Sequence, residues 1–175
     1  ACYQDARFIV VATPSGLTLA PEGGAHQSLA TPLIGLAQDG LASFEPAYVD
    51  ELATILHWSF DYIQRSGSKD DEEGWSKDAK GGSVYLRLST RPIEQINRKL
   101  DDKMRHDIID GGYWLRRPGP STPLCIVAMG AVLPEAIEAA AYLGQRHPDI
   151  GVLAVTSADR LSAGRRGAQR GREQG

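Results

Sequence analysis

The sequence predicts an α/β fold in which two small parallel-sheet units follow each other along the chain. A short apolar run rich in branched residues occurs at 8–12, and further strand-like stretches occur at 41–44, 83–89, 124–129 and 151–156. Helical periodicity lies between the second and third runs and again between the fourth and fifth. This strand, helix, strand order is typical of parallel strands joined by a crossover helix.

The first unit begins with a strand at Phe8–Ala12, which a Pro- and Gly-containing loop follows. After the strand at Leu41–Phe44, Pro46 fits the first residue of a helix, where its missing N–H is harmless. Apolar residues then recur at helical spacing and predict the face of this helix that packs on the core: Val49, Leu52, Ala53, Leu56, Phe60 and Ile63. The strand at 83–89 completes the unit.

Segments of different composition separate and end the two units. Residues 66–83 lack an apolar period and predict a surface insertion, and residues 93–123, with Gly-Gly and Pro-Gly-Pro, predict a linker. The second unit follows at 124–161, with Pro134 opening an alanine-rich helix. Residues 162–175 are rich in Gly and Arg, which predicts a disordered tail.

Composition excludes several classes of function. The 19 Lys and Arg against 22 Asp and Glu give a charge of -3, so no basic field favours nucleic acid. No apolar run approaches the roughly 20 residues of a membrane helix. Cys2 and Cys125 have no metal-ligand spacing, and we expect reduced, buried thiols in a cytoplasmic protein. Neither a phosphate-binding glycine motif nor a hydrolase serine elbow occurs.

The loop after the first strand carries the best candidate site. Residues 22–27 combine Glu22, two glycines, His26 and Gln27, and ligands of open α/β sheets bind beyond the carboxyl ends of strands. An imidazole there can move a proton near neutral pH, and a carboxylate can orient it. The alternative is a glycine-rich turn with a surface histidine.

Arg91 is the second candidate, because it directly follows the third strand. A guanidinium at that place can hold a carboxylate or a phosphate through paired hydrogen bonds. The alternative is a solvated arginine before Pro92.

The stretch at 13–27 resembles the transketolase superfamily of thiamine-diphosphate enzymes. Glu22 stands where that family has an aspartate, Gly23 matches its glycine, and His26 and Gln27 match its His-Gln pair. The stretches 44–47, 88–91 and 128–136 are similar to later landmarks of the same family. Within the superfamily, the likeness is closer to the single-chain, homodimeric decarboxylating component of the pyruvate dehydrogenase complex.

This resemblance implies a function and a division into domains. Residues 1–92 would be the latter half of the pyrimidine-binding domain, and 124–161 the opening of the C-terminal domain. His26 would be the catalytic residue facing a small 2-oxo acid, with Glu22, Gln27 and Arg91 binding the substrate. Thiamine diphosphate with Mg²⁺ would store the carbanion left when carbon dioxide departs. Acyl transfer to a lipoyl-bearing acyltransferase core would follow.

Departures from the family pattern leave alternatives open. The family's diphosphate and magnesium motif and its activating glutamate are absent from these residues, so we expect a fragment without its own cofactor or metal site. Pro14 stands where transketolases have a substrate-contacting histidine, whereas Arg91 is similar to their phosphate-binding arginine. A transketolase that moves ketol units between sugar phosphates is therefore one alternative. A non-catalytic α/β interaction module is the other.

Overall fold

A computed structural model of the chain describes residues 2–13, 18–24, 27, 33–35, 38, 40–67, 78–120 and 124–174. Its architecture is α/β, as the sequence predicts. Within these ranges, the chain forms two three-stranded sheets with their helices.

The first sheet is entirely parallel. Strands β1 (Ile9–Ala12), β2 (Leu41–Phe44) and β3 (Ser83–Arg87) lie in the order β1, β3, β2. Helix α1 (Val49–Tyr62) joins β2 to β3. It begins three residues after Pro46, because the Glu51 carboxylate accepts the backbone N–H groups of Ala47 at 2.7 Å and Tyr48 at 3.2 Å.

The buried face of α1 matches the predicted apolar stripe in part, because Leu52, Leu56 and Ile63 pack against the core. Its buried residues are Glu51, Thr54, Ile55, Ser59 and Tyr62, whereas Val49 and Phe60 of the stripe are 62% and 56% exposed. Polar residues occupy this face because their hydrogen bonds are satisfied there. For example, the Ser59 hydroxyl donates to the Ile55 carbonyl at 2.6 Å.

The second sheet is mixed. Strands β4 (Gly112–Arg116), β5 (Cys125–Met129) and β6 (Gly151–Val155) lie in the order β4, β6, β5. Helix α3 (Leu133–Leu143) joins the parallel pair β5 and β6, and β4 runs antiparallel to β6. Helix α2 (Asp102–Asp110) precedes β4. The predicted linker at 93–123 therefore supplies both a helix and a strand of the second sheet.

The predicted disordered tail requires a correction, because residues 158–174 form helix α4 (Ala158–Gln174). The Ser157 hydroxyl accepts the Arg160 N–H at 3.1 Å and caps the first turn. The Arg160 guanidinium is 5% exposed and donates twice to Asp78, at 2.9 Å in each case. The ion pair of Arg160 with Asp78 stabilises the first turn of this helix. A search for apolar periodicity cannot detect such a pair.

The two sheets share one core and are joined by backbone contacts. A single cluster of buried residues includes Phe44 and Leu86 of the first sheet and Tyr113 and Ala154 of the second. The Glu45 N–H donates to the Thr156 carbonyl at 2.8 Å, so the end of β2 is tied to the end of β6.

The cysteines are free but not buried as expected. Cys2 is half-buried, and Cys125 is exposed on strand β5. Among the described residues, no helix is long and apolar enough to cross a bilayer.

Candidate functional site

The carboxyl edge of the first sheet brings the predicted loop and the predicted arginine to one region. Strands β1 and β3 are parallel neighbours, and the Leu88 N–H donates to the Ala12 carbonyl at 2.9 Å beyond the end of the ladder. The Thr18 hydroxyl then lies 3.3 Å from the Thr90 hydroxyl and 3.5 Å from that of Ser89. The segments that follow β1 and β3 are therefore in contact.

Of the loop residues, Glu22 and Gln27 are described and His26 lies outside the described residues. Glu22 ends a short 3-10 turn, where its N–H donates to the Leu19 carbonyl at 3.0 Å. Gly23 has φ +105°, a conformation that favours glycine. The side chains of Glu22 and Gln27 are exposed. Pro14 also lies outside the described residues.

Arg91 is half-exposed and engages the second unit. Its Nη1 donates to the Glu135 carboxylate and, at 3.4 Å, to the Ala131 carbonyl. The Arg91 N–H also donates to the Ser89 hydroxyl at 3.0 Å, which fixes the turn after β3. The hydrogen bond from Arg91 lowers the pKa of Glu135. The Arg91 guanidinium thus already binds a carboxylate, that of Glu135 on helix α3.

A buried ion pair lies behind this edge, between Glu45 and Arg87. Arg87 Nη1 donates to Glu45 Oε2 at 3.3 Å, and both side chains are nearly inaccessible to solvent. Burial raises the pKa of the Glu45 carboxyl, and the charge of Arg87 offsets part of that increase. Gly130 packs so closely on this pair that a Cβ would lie 2.5 Å from Glu45 Oε1.

Sequence reasoning missed this polar layer of the first sheet. Ser43, Tyr85 and Asp159 line a cavity of about 40 Å³ together with the ion pair. Tyr85 is 5% exposed, and its hydroxyl has no hydrogen-bond partner among the described residues. The signal was present in β3, where Ser83, Tyr85 and Arg87 alternate with Val84 and Leu86.

A second polar network joins α1 to strand β4. Arg98 donates to both oxygens of Asp50, at 2.7 and 2.9 Å, and to the Tyr113 hydroxyl at 2.7 Å. The Tyr113 hydroxyl in turn donates to Glu51, which is 1% exposed. Burial raises the pKa of Tyr113, and the Glu51 charge adds to that effect. This network is structural, because it ties the N-terminal turn of α1 to the second sheet.

A larger cleft lies between helices α1 and α2. It encloses about 380 Å³ and is lined by Trp58, Ile109 and polar residues that include His57, His106 and Arg105. Two of its lining residues, Asp78 and Asp110, form ion pairs with Arg160. Acidic and basic groups are mixed within it, so the cleft favours neither anions nor cations clearly.

The described residues do not fit a magnesium and diphosphate site. Within those ranges, no three His, Cys, Asp or Glu side chains are grouped so that they could hold a metal ion.

Comparison with known proteins identifies the fold. No protein-family model matches the sequence, and no curated protein matches it in sequence. Solved transketolases do match in structure. The enzyme from Leishmania mexicana aligns with TM-score 0.67 and 16% identity over 93% of this chain and 21% of its own. A Pichia stipitis variant in complex with fructose 6-phosphate aligns with TM-score 0.62 and 18% identity over 87% of this chain and 19% of its own.

A split-gene transketolase, solved as an inactive tetramer, aligns with TM-score 0.57 and 18% identity. The alignment covers 89% of this chain and 42% of that one. The chain thus has a transketolase-like fold and spans about a fifth of the length of the Leishmania and Pichia enzymes. At these identities the likeness establishes the fold alone.

Proposed function

We propose that this chain is part of a thiamine-diphosphate-dependent enzyme that decarboxylates a small 2-oxo acid such as pyruvate. The observation that carries the proposal is the meeting of two loops at one sheet edge. Thr18, which precedes the Glu22–Gln27 loop, contacts Thr90, which precedes Arg91. Such an edge is where open α/β sheets bind ligands.

The roles of the residues follow from their chemistry. Gln27 and Arg91 can donate hydrogen bonds to the oxygens of the substrate, whereas the exposed Glu22 carboxylate can only accept one, from a protonated group of the substrate or of the protein. His26 is assigned the proton transfer on the basis of the sequence resemblance. The bound cofactor supplies an electron sink for the carbanion that decarboxylation leaves.

The whole enzyme extends beyond these residues in this proposal. The groups that hold the diphosphate and Mg²⁺ are assigned to other parts of a longer polypeptide, on the basis of the resemblance, because the family's motif for them does not occur in this sequence. A homodimer in the cytoplasm, a lipoyl-bearing acyltransferase partner, and the domain division at 1–92, 93–123 and 124–161 belong to the same proposal.

Ketol transfer between sugar phosphates is the second candidate, because the solved neighbours are transketolases and one of them contains fructose 6-phosphate. The ion pair between Arg91 and Glu135 supports the 2-oxo acid, because the Glu135 charge repels a phosphate dianion more strongly than a monoanionic carboxylate.

The preferred donor substrate, pyruvate or a ketose phosphate, distinguishes the two candidate functions. The complete polypeptide is supplied with thiamine diphosphate and Mg²⁺, and either pyruvate or fructose 6-phosphate with an aldose phosphate acceptor. We expect cofactor-dependent release of carbon dioxide from pyruvate to exceed ketol transfer. Faster ketol transfer would establish the second candidate, and the absence of both reactions would favour a non-catalytic interaction module.

A further inference from the structure

We propose that Glu135 is a specificity-determining residue, which restricts the carboxyl edge to small monoanions by occupying Arg91 and repelling phosphate dianions. This inference rests on the proposed function, because it names the class of substrate that the same edge accepts. It assigns a role to a side chain on helix α3, outside the loop that the sequence identifies.

The geometry places one carboxylate directly on the candidate substrate cation. Arg91 Nη1 donates to Glu135 Oε1 and to the Ala131 carbonyl, so a single guanidinium nitrogen is shared between two acceptors of the second unit. The Arg91 and Glu135 side chains are 41% and 51% exposed. A dissolved anion can therefore reach the pair without any movement of the fold.

The charge of the incoming anion decides how strongly Glu135 opposes it. Two unit charges about 5 Å apart in water repel each other enough to weaken binding about fourfold. A dianion at the same place experiences twice that energy, which corresponds to about sixteenfold. Glu135 therefore lowers the affinity for a phosphate dianion about four times more than the affinity for a carboxylate such as pyruvate.

Surface ion pairs contribute little to stability, so Glu135 can be neutralised without loss of the fold. Glu135→Gln keeps the size of the side chain and its ability to accept a hydrogen bond from Arg91, but removes the charge. Glu138→Gln is the matched control, because Glu138 is also an exposed glutamate of α3 and has no ion pair among the described residues.

The test is a titration of the full 175-residue chain, followed through the NMR signal of the Arg91 side-chain N–H. The probes are inorganic phosphate at pH 8, where the dianion dominates, and pyruvate. Each is added to the wild-type chain, Glu135→Gln and Glu138→Gln, and the backbone spectrum verifies that each variant is folded. Arg91→Gln in the wild-type and Glu135→Gln backgrounds shows whether binding depends on the guanidinium.

We expect Glu135→Gln to strengthen phosphate binding about sixteenfold and pyruvate binding about fourfold, while Glu138→Gln changes neither by more than about twofold. Equal strengthening for both anions, no strengthening, or binding that survives Arg91→Gln would overturn the inference. The titration requires no turnover, so its failure is distinct from failure of the donor comparison, which tests the proposed function.

Discussion

Removal of the Tyr113 hydroxyl tests whether the polar network between α1 and β4 holds the two sheets together. In Tyr113→Phe, Glu51 loses the hydroxyl that donates to it, and Arg98 loses an acceptor at 2.7 Å. Both partners are charged, and hydrogen bonds to charged groups contribute about 1.5–3 kcal/mol. Glu51 keeps two backbone donors and Arg98 keeps Asp50. We therefore expect a loss of about 2–3 kcal/mol in the free energy of unfolding.

Urea denaturation measures this loss. With a slope of about 2 kcal/mol per M, the expected change lowers the midpoint by about 1–1.5 M. Tyr142→Phe is the matched control, because Tyr142 is 70% exposed on α3, and we expect its midpoint to move by less than about 0.25 M. If the two variants have the same midpoint, the network does not stabilise the contact between the sheets, and this reasoning is refuted.

Two further predictions concern the polar layer behind the carboxyl edge. Gly130→Ala places a Cβ 2.5 Å from Glu45 Oε1 at a residue with φ +64°. We therefore expect the free energy of unfolding to fall by about 2 kcal/mol or more, which thermal melting measures. An unchanged melting temperature would contradict the close packing of Gly130 on Glu45. Burial raises the pKa of Glu45, so the unfolded chain ionises first and stability falls as pH rises from 4.5 through the folded-state pKa. Glu45→Gln should lack this fall when urea midpoints are compared across that pH range, and an identical pH profile would show that Glu45 is not its source.

The order of the strands and helices could be predicted from the sequence because it follows from local patterns. Short strand-like stretches mark β1, β2, β3, β5 and β6, and Pro134 lies in the first turn of α3. Both crossover connections have the predicted parallel strands. The fold class is therefore encoded in short segments that can be interpreted one at a time.

The remaining features depend on partners that are distant in sequence. Strand β4 is stabilised by antiparallel pairing with β6, about forty residues away, so its short sequence gives no sign of it. Helix α4 starts at a buried arginine whose partner is Asp78. The buried face of α1 contains Glu51 because Tyr113 and Arg98 satisfy it. An apolar period cannot reveal such pairings.

The candidate site could be predicted in part. The structure places Thr18, in the segment after β1, in contact with Thr90, in the segment after β3. The roles of His26, Glu22 and Gln27 stay predictions. The ion pair between Arg91 and Glu135 could not be predicted from the sequence, because these two residues lie in different units of the fold.

The most direct test of the central claim is the turnover of pyruvate by the complete polypeptide carrying His26→Ala. If the loop after β1 faces the substrate, we expect the variant to lose turnover by about 10²- to 10⁴-fold, as for a removed general acid or base, while its affinity for thiamine diphosphate stays unchanged. His147→Ala, which removes an exposed imidazole beyond α3, should leave both quantities unchanged. Wild-type turnover in the His26→Ala enzyme would contradict the account.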